Sequence, residues 1–365
     1  MQPLRQKPPL TLDIGLLLDR QWTGVQVFTR RLAKALLSNG ELEVTFACNL
    51  VRAPTERVLQ AIRFGEGGYL AAELEHNTWK DPKTVDPDSP VLYCCNKGRC
   101  SGLLAREAST VHDMTTLFMP DTHDEGNIAH HLDYLDMELM TDEAIFCISE
   151  ATRASLMSAA PSVARRIRLL PQYVDWPEAF ELVDRNLPTL RPRPYALVIG
   201  TIEPRKNLKL ILDSLADARV ARNPIAFVVL GKRGWLVDDF LKQLPPESQT
   251  RIAFTGFVSE FVKYRLLKAA QFLVLPSLCE GFGIPALEAL SLGKPVLASR
   301  SSSLPEVIGD AGVYFDPMSV SEFAAALDEI SDARKLAELS PRALKRNAMF
   351  SPERMAAPVV AWAKG

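Results

Sequence analysis

The chain has 365 residues, 47% hydrophobic and 24% charged, the balance of a soluble protein long enough for two domains with a core each. A formal net charge of −2 removes any bulk electrostatic case for nucleic acid. Met1 to Pro9 is polar and proline-rich rather than a signal peptide, and no apolar run approaches a membrane span, so a reducing, cytoplasmic setting is expected.

In chain order, Leu10 to Leu18 reads as a buried strand, followed by a loop ending in Trp22, Thr23 and Gly24. A helix then carries Val25, Phe28, Leu32 and Leu36 at helical spacing, with Arg30, Arg31 and Lys34 on its other side and Gly40 as its stop. Val44 to Cys48, Val91 to Cys95, Ala108 to His112, Ala144 to Ile148 and Ile167 to Leu170 read as further strands, and Ser149 caps a helix. Asp86-Pro87-Asp88 is expected to be a turn. Cys48, Cys147 and Cys279 lie in or beside apolar runs, as small hydrophobes do. Cys94, Cys95 and Cys100 lack a C-x-x-C partner or a nearby histidine, so no metal is expected there. His130 and His131 are adjacent and would diverge by about 100° on a helix, which with His123 favours a polar face over a metal site. The basic face at Arg30, Arg31 and Lys34 and the cluster Arg165, Arg166, Arg168 read either as solvated surface or as contacts for anionic lipid or a lipid diphosphate.

Residues 176 to 194 carry Pro177, Pro188, Pro192 and Pro194 without clean periodicity, so the interdomain linker is expected there. The expected boundaries are residues 1–180, 190–345 and a closing helix at 346–365. Beyond the linker, strands at Tyr195 to Ile199, Ile225 to Leu230, Arg251 to Thr255, Phe272 to Leu275, Pro295 to Ala298 and Val313 to Phe315 alternate with helices. Asn207 is expected to cap one helix, Ser319-x-x-Glu322 to box another, and a further helix is expected near Val237 to Leu244. Alternation of this kind predicts an α/β protein with a parallel, doubly wound sheet in each half.

Two stretches carry chemistry. From Phe272 an apolar strand runs to Leu275; a loop with Glu280, Gly281 and Gly283 follows, and a helix opens at Pro285 with Glu288 in its first turns. Strand, glycine loop and helix start aim backbone N–H groups and a positive dipole end at a phosphate, and two carboxylates beside it suit the hydroxyls of a nucleotide sugar. In the second stretch, Gly200 to Asn207, Arg205 and Lys206 sit beside the positive end of a helix. Two cations there conflict with the dipole unless an anion is bound; a diphosphate would resolve the conflict.

These motifs, GTIEPRKN, GKRGWL, FTGFVS and LPSLCEGFGIPALEALSLGKPVLAS, resemble the C-terminal domain of family 4 glycosyltransferases over most of Tyr195 to Phe315. The resemblance implies the GT-B fold, two Rossmann-like domains with parallel sheets facing across a cleft. The first half is similar more loosely, at Gly24, at Val111-His112-Asp113 and at Cys147 to Glu150. Phe350 to Arg354 and the helix after it resemble the segment that crosses back to the N-terminal domain.

The resemblance also implies roles. Glu280 would contact the transferred sugar, and Glu288 the ribose. Arg205 and Lys206 would neutralise the departing diphosphate. The backbone at Gly281, Phe282 and Gly283 would meet the donor, and Val258 would lie near the base. Gly24 would approach the phosphates, and His112 would face the sugar near the reacting carbon. Thr201, after Gly200, stands where many members carry arginine, so one phosphate contact is absent or replaced by Lys232 or Arg233.

The implied reaction is retaining transfer of a hexose from a nucleoside-diphosphate sugar to a hydroxyl, without metal or cofactor. GDP-mannose is the expected donor, and a glycan or polyprenyl-diphosphate-linked saccharide the acceptor, in surface-polysaccharide synthesis. The expected location is cytoplasmic, with peripheral contact at the inner face of the plasma membrane left open. A nucleotide-sugar epimerase of the same fold and a non-catalytic partner subunit are the alternatives. A dehydrogenase is disfavoured by the missing G-x-G-x-x-G turn after the first strand.

Overall fold

A computed structural model describes residues 7–19, 22–64, 84–190, 193–232, 234 and 250–365. The chain forms two compact units, Met1–Phe118 with Glu125–Tyr173 and Phe350–Gly365, and Met119–Asp124 with Val174–Met349.

The first unit holds strands β1 (Pro9–Asp13), β2 (Glu43–Cys48), β3 (Val51–Ala53), β4 (Val91–Tyr93), β5 (Glu107–Val111), β6 (Ala144–Cys147) and β7 (Ile167–Leu169), in the order β3-β2-β1-β4-β5-β6-β7. All pairings are parallel except β2 with β3. The expected first strand is shorter than its apolar run. It stops at Asp13, whose carboxylate accepts the N–H of Gly15 at 3.0 Å, and Gly15–Leu18 coils into a 3-10 turn. Ser149 caps the helix Glu150–Ala159 by accepting the N–H of Thr152, and Gly40 ends Gly24–Asn39 in a left-handed conformation.

The helix Gly24–Asn39 corrects one expectation. Arg30 and Arg31 are buried, not a solvated or lipid-facing surface. Gln26 through Ala33 is buried without a break, more than two helical turns, so the helix is covered all round. Part of that cover is the last helix, Pro352–Lys364, which packs along it. That helix begins with Ser351 accepting the N–H of Arg354 and has Pro352 in its first turn. Trp362 meets Phe146 edge-on at 5.9 Å, and Arg106 donates to the carbonyls of Trp362 and Ala363. Of the basic cluster, Arg165 and Arg168 are exposed, whereas Arg166 donates to the Asp142 carbonyl.

The second unit is a six-stranded parallel sheet, β10 (Ile252–Gly256), β9 (Ala226–Leu230), β8 (Tyr195–Ile199), β11 (Phe272–Leu275), β12 (Val296–Ser299) and β13 (Gly312–Phe315), in that spatial order. YALVI and FLVL are buried at every position, as strands covered on both faces require. Phe227, Phe272, Phe315 and Phe323 centre the core. The order reverses between β8 and β11, which opens a crevice beyond their carboxyl ends, the usual ligand position in open α/β sheets.

Three expectations change here. The stretch expected as an irregular linker contains a helix, Glu178–Arg185, tied to Glu260–Ala269 by Asp184 with Arg265 at 2.7 Å and by Glu181 with Lys268 at 2.7 Å. Asn207 does not cap with its side chain. It is left-handed, with φ 53, and donates to the carbonyls of Pro276 and Pro317. Glu322 closes no box with Ser319; Ser319 accepts the Glu322 N–H, while the Glu322 carboxylate accepts the N–H of Asp316. The helix expected near Val237 to Leu244 lies outside the described residues.

Candidate active site

At the crevice of the second unit, the loop after β8 and the loop after β11 clasp each other. The Leu278 N–H donates to the Arg205 carbonyl at 2.8 Å, and Asn207 donates to Pro276 at 3.0 Å. Lys206 donates to both carboxylate oxygens of Glu280, each at 2.8 Å. Arg205 pairs with buried Glu203 at 2.7 Å, donates to the Cys279 carbonyl at 2.8 Å and lies 3.6 Å from Glu280. The two cations therefore do not depend on a bound anion to offset the helix dipole, the resolution expected from the sequence; Glu203 and Glu280 already balance them.

Glu280 is 6% exposed. Burial pushes its carboxyl upward, but Lys206 and Arg205 outweigh burial and hold it below the usual carboxylate range. A row of serines fixes it. The Ser277 hydroxyl donates to its carboxylate at 2.6 Å, Ser302 accepts its N–H at 2.7 Å, and Ser303 donates to its carbonyl at 2.9 Å. Ser302 is left-handed, φ 47, a costly conformation held by these bonds. The serines and Glu203 were not singled out from the sequence. The run Ser301-Ser302-Ser303 is a usable signal, because adjacent hydroxyls after a strand are a natural set of loop fasteners.

Gly281, Phe282 and Gly283 are buried beside Glu280. Gly283 is the N-cap of the helix Ile284–Ser291, with φ 91 and no side-chain cap bond, and a Cβ on it would lie 2.8 Å from Leu304. Pro285 is in the first turn but follows Ile284. The loops after β8 and β9 touch backbone to backbone. A Cβ on Gly231 would fall 1.8 Å from the Gly200 carbonyl oxygen. The Ile202 N–H donates to the Lys232 carbonyl, which brings exposed Lys232 beside Thr201; Arg233 lies outside the described residues. Val258 follows β10, half-buried. Glu288 is buried and paired with Lys263 at 2.9 Å.

In the first unit, His112 ends β5. Its Nε2 lies 2.7 Å from the Cys94 carbonyl oxygen, so the neutral ring carries its proton there and keeps its lone pair on Nδ1. Burial pulls its pKa down, against the Cys94 carbonyl and Asp113, which favours that neutral form. Phe28 meets the ring edge-on at 4.8 Å. Gly24 opens its helix at an exposed position. The loop before it is fastened by Gln26, which accepts from the Thr23 N–H and donates to Asp19. His130 and His131 belong to this unit and His123 to the other. His131 contacts Asn96. Among the described residues, no three His, Cys, Asp or Glu gather to hold a metal, and no helix is long and apolar enough to cross a membrane. Asp86 accepts the N–H groups of Asp88 and Ser89, a turn.

Residues 183–348 match the family model of glycosyl transferases group 1. The chain is 34% identical to O-antigen chain mannosyltransferase B of Escherichia coli over 255 residues, 64% of this chain and 66% of that one. It is 28% identical to the E. coli serotype-specific mannosyltransferase WbdA over 222 residues, 57% of this chain and 27% of that one. The chain thus covers less than two thirds of the length of these relatives. Similar solved structures are sucrose-phosphate synthase from Thermosynechococcus elongatus, with TM-score 0.70 and 17% identity over 99% of this chain and 98% of that one, and WaaG, a glycosyltransferase involved in lipopolysaccharide biosynthesis, with TM-score 0.65 and 16% identity over 98% and 100%. At such identity the likeness is one of fold: two Rossmann-like units with parallel sheets, the GT-B architecture.

Proposed function

From the premise that the chain belongs to the group 1 glycosyl transferases, we propose that it transfers a hexose, mannose from GDP-mannose, to a hydroxyl of a glycan or lipid-linked saccharide in surface-polysaccharide synthesis. The observation that carries this reading is the contact of Lys206 and Arg205 with Glu280 at the crevice between β8 and β11. That contact supports the reading because cations suit a departing diphosphate and a carboxylate suits sugar hydroxyls. The mannosyltransferase relatives support the choice of sugar.

In the proposed reaction the bond from the anomeric carbon to the diphosphate oxygen breaks and its electron pair stays on the diphosphate. The acceptor oxygen bonds to the same face of that carbon, and its proton passes to the departing phosphate. Negative charge grows on the leaving group, so prepositioned donors lower the barrier. An ammonium has three donor directions, so Lys206 can keep Glu280 and still meet a phosphate oxygen. Glu288 would hold the ribose, and neutral His112 offers Nδ1 as an acceptor. No metal takes part in this proposal.

The test is incubation of GDP-mannose with a mannose-terminated oligosaccharide, followed by proton NMR of the product. An α-linked product and released GDP are expected. An altered nucleotide sugar formed without acceptor would mean an epimerase. No reaction with any donor, despite nucleotide binding, would mean a non-catalytic subunit.

A further inference from the structure

Lys263 lies outside every motif used so far, yet it is 9% exposed and touches Glu288. Its ammonium is 2.9 Å from Glu288, on the sequence-distant helix Ile284–Ser291, and 2.9 Å from Glu260 on its own helix. The Trp176 ring lies under the same ammonium, 5.5 Å from the ring centroid, within cation–π range. Trp176 reaches Glu288 by a second route. Its Nε1 donates to the Ser291 hydroxyl at 2.8 Å, and that hydroxyl donates to the Glu288 carbonyl at 2.7 Å. Trp176 is itself packed against Tyr264 and Phe180, on the two helices that the Glu181, Asp184, Arg265 and Lys268 pairs join.

From this closed circuit we infer that Lys263, seated on Trp176, is a positioning residue that holds the Glu288 carboxylate in one orientation for the two ribose hydroxyls of the donor. The inference rests on the proposed role of Glu288. Glu288 is 1% exposed, and a buried carboxylate is held in place by a paired cation rather than by water. The cation beside it, at 2.9 Å, is Lys263. Its own pKa is pulled down by burial, but the carboxylates of Glu288 and Glu260 more than offset this and raise it above the ordinary lysine value. Without the aromatic face and the Ser291 bridge, a long lysine chain would be free to follow Glu260 toward solvent; Glu260 is the exposed partner, at 43%.

The test is calorimetric binding of GDP and of 2′,3′-dideoxy-GDP to the full chain and to Lys263→Met, Lys263→Arg, Trp176→Phe, Glu288→Gln and the double variant Lys263→Met/Glu288→Gln. Wild type is expected to prefer GDP over the dideoxy analogue by about tenfold or more. Lys263→Met should lose that preference while binding the dideoxy analogue as wild type does, and Lys263→Arg should restore most of it. Trp176→Phe should lose part of it. In the Glu288→Gln background, Lys263→Met should change nothing further, a comparison that stands even where the single variant folds poorly. Equal weakening of both nucleotides in Lys263→Met, or a preference unchanged in it, overturns the inference while leaving the ribose role of Glu288 standing. Tight GDP binding with no preference in wild type removes the ribose role and the inference with it.

Discussion

Lys206 and Glu280 stand 74 positions apart in the chain, yet the lysine ammonium reaches both carboxylate oxygens of the glutamate at 2.8 Å. The pair joins the loop after β8 to the loop after β11, so the two loops are held together by charge. In the proposed reaction such preorganisation would matter, because the site would not have to reorganise as charge develops on the leaving group.

Glu280→Gln keeps the size of the side chain and one acceptor oxygen but removes the charge. Turnover should fall by about 100-fold or more, the scale for losing one preorganised electrostatic group. The Ser302 and Ser303 bonds to the Glu280 backbone remain, so the fold should hold, but Lys206 and Arg205 lose a charge partner and the melting temperature should drop by a few degrees. Steady-state kinetics beside a thermal melt checks this; near-normal turnover would remove Glu280 from the site.

The pH dependence of stability has an unusual contributor in Asp13. Burial pushes its carboxyl up to about 6, although the N–H groups of Gly15 and Asn49 pull the other way. The folded state therefore holds a proton that the unfolded chain releases near pH 4. This contribution is fully present below that pH and is lost as pH rises to about 6. Relative to Asp13→Asn, wild type should lose about 3 kcal/mol between pH 3.5 and 7, from a shift of roughly two units. Urea titrations of both proteins across that range measure the difference. A constant difference would contradict it.

Lys97 is fully buried, 2.8 Å from Glu107, 2.8 Å from Asp142 and 2.8 Å from the Thr141 hydroxyl. Lys97→Met would leave two buried carboxylates without their cation. The expected cost is about 3–5 kcal/mol, or roughly 10 °C in melting temperature. Calorimetric unfolding checks it; a shift of about a degree would show that the network is not acting as an ion cluster.

The strands were legible because strands covered on both faces must be apolar throughout, and YALVI and FLVL are. The loop between Leu275 and Ile284 was legible as a connection because its glycines interrupt an apolar strand just before a proline in the first turn of a helix. Lys263 was not. Its neighbours Val262 and Tyr264 read as an ordinary helix, and its partner Glu288 lies 25 residues away. Arg30 and Arg31 misled for a related reason, since the helix that helps cover theirs comes from the far end of the chain. Asp13 ended a strand early by a local bond that apolar periodicity does not report.

The central claim is a diphosphate site at Lys206. Its most direct test is calorimetric binding of GDP, UDP, ADP and dTDP, without added metal, to wild type and to Lys206→Ala. The account predicts that GDP binds tightest and that the variant binds it about 10- to 100-fold more weakly, the worth of one charge-assisted bond. Unchanged affinity in the variant would place the phosphates elsewhere, and no binding of any nucleotide to the wild type would contradict the account.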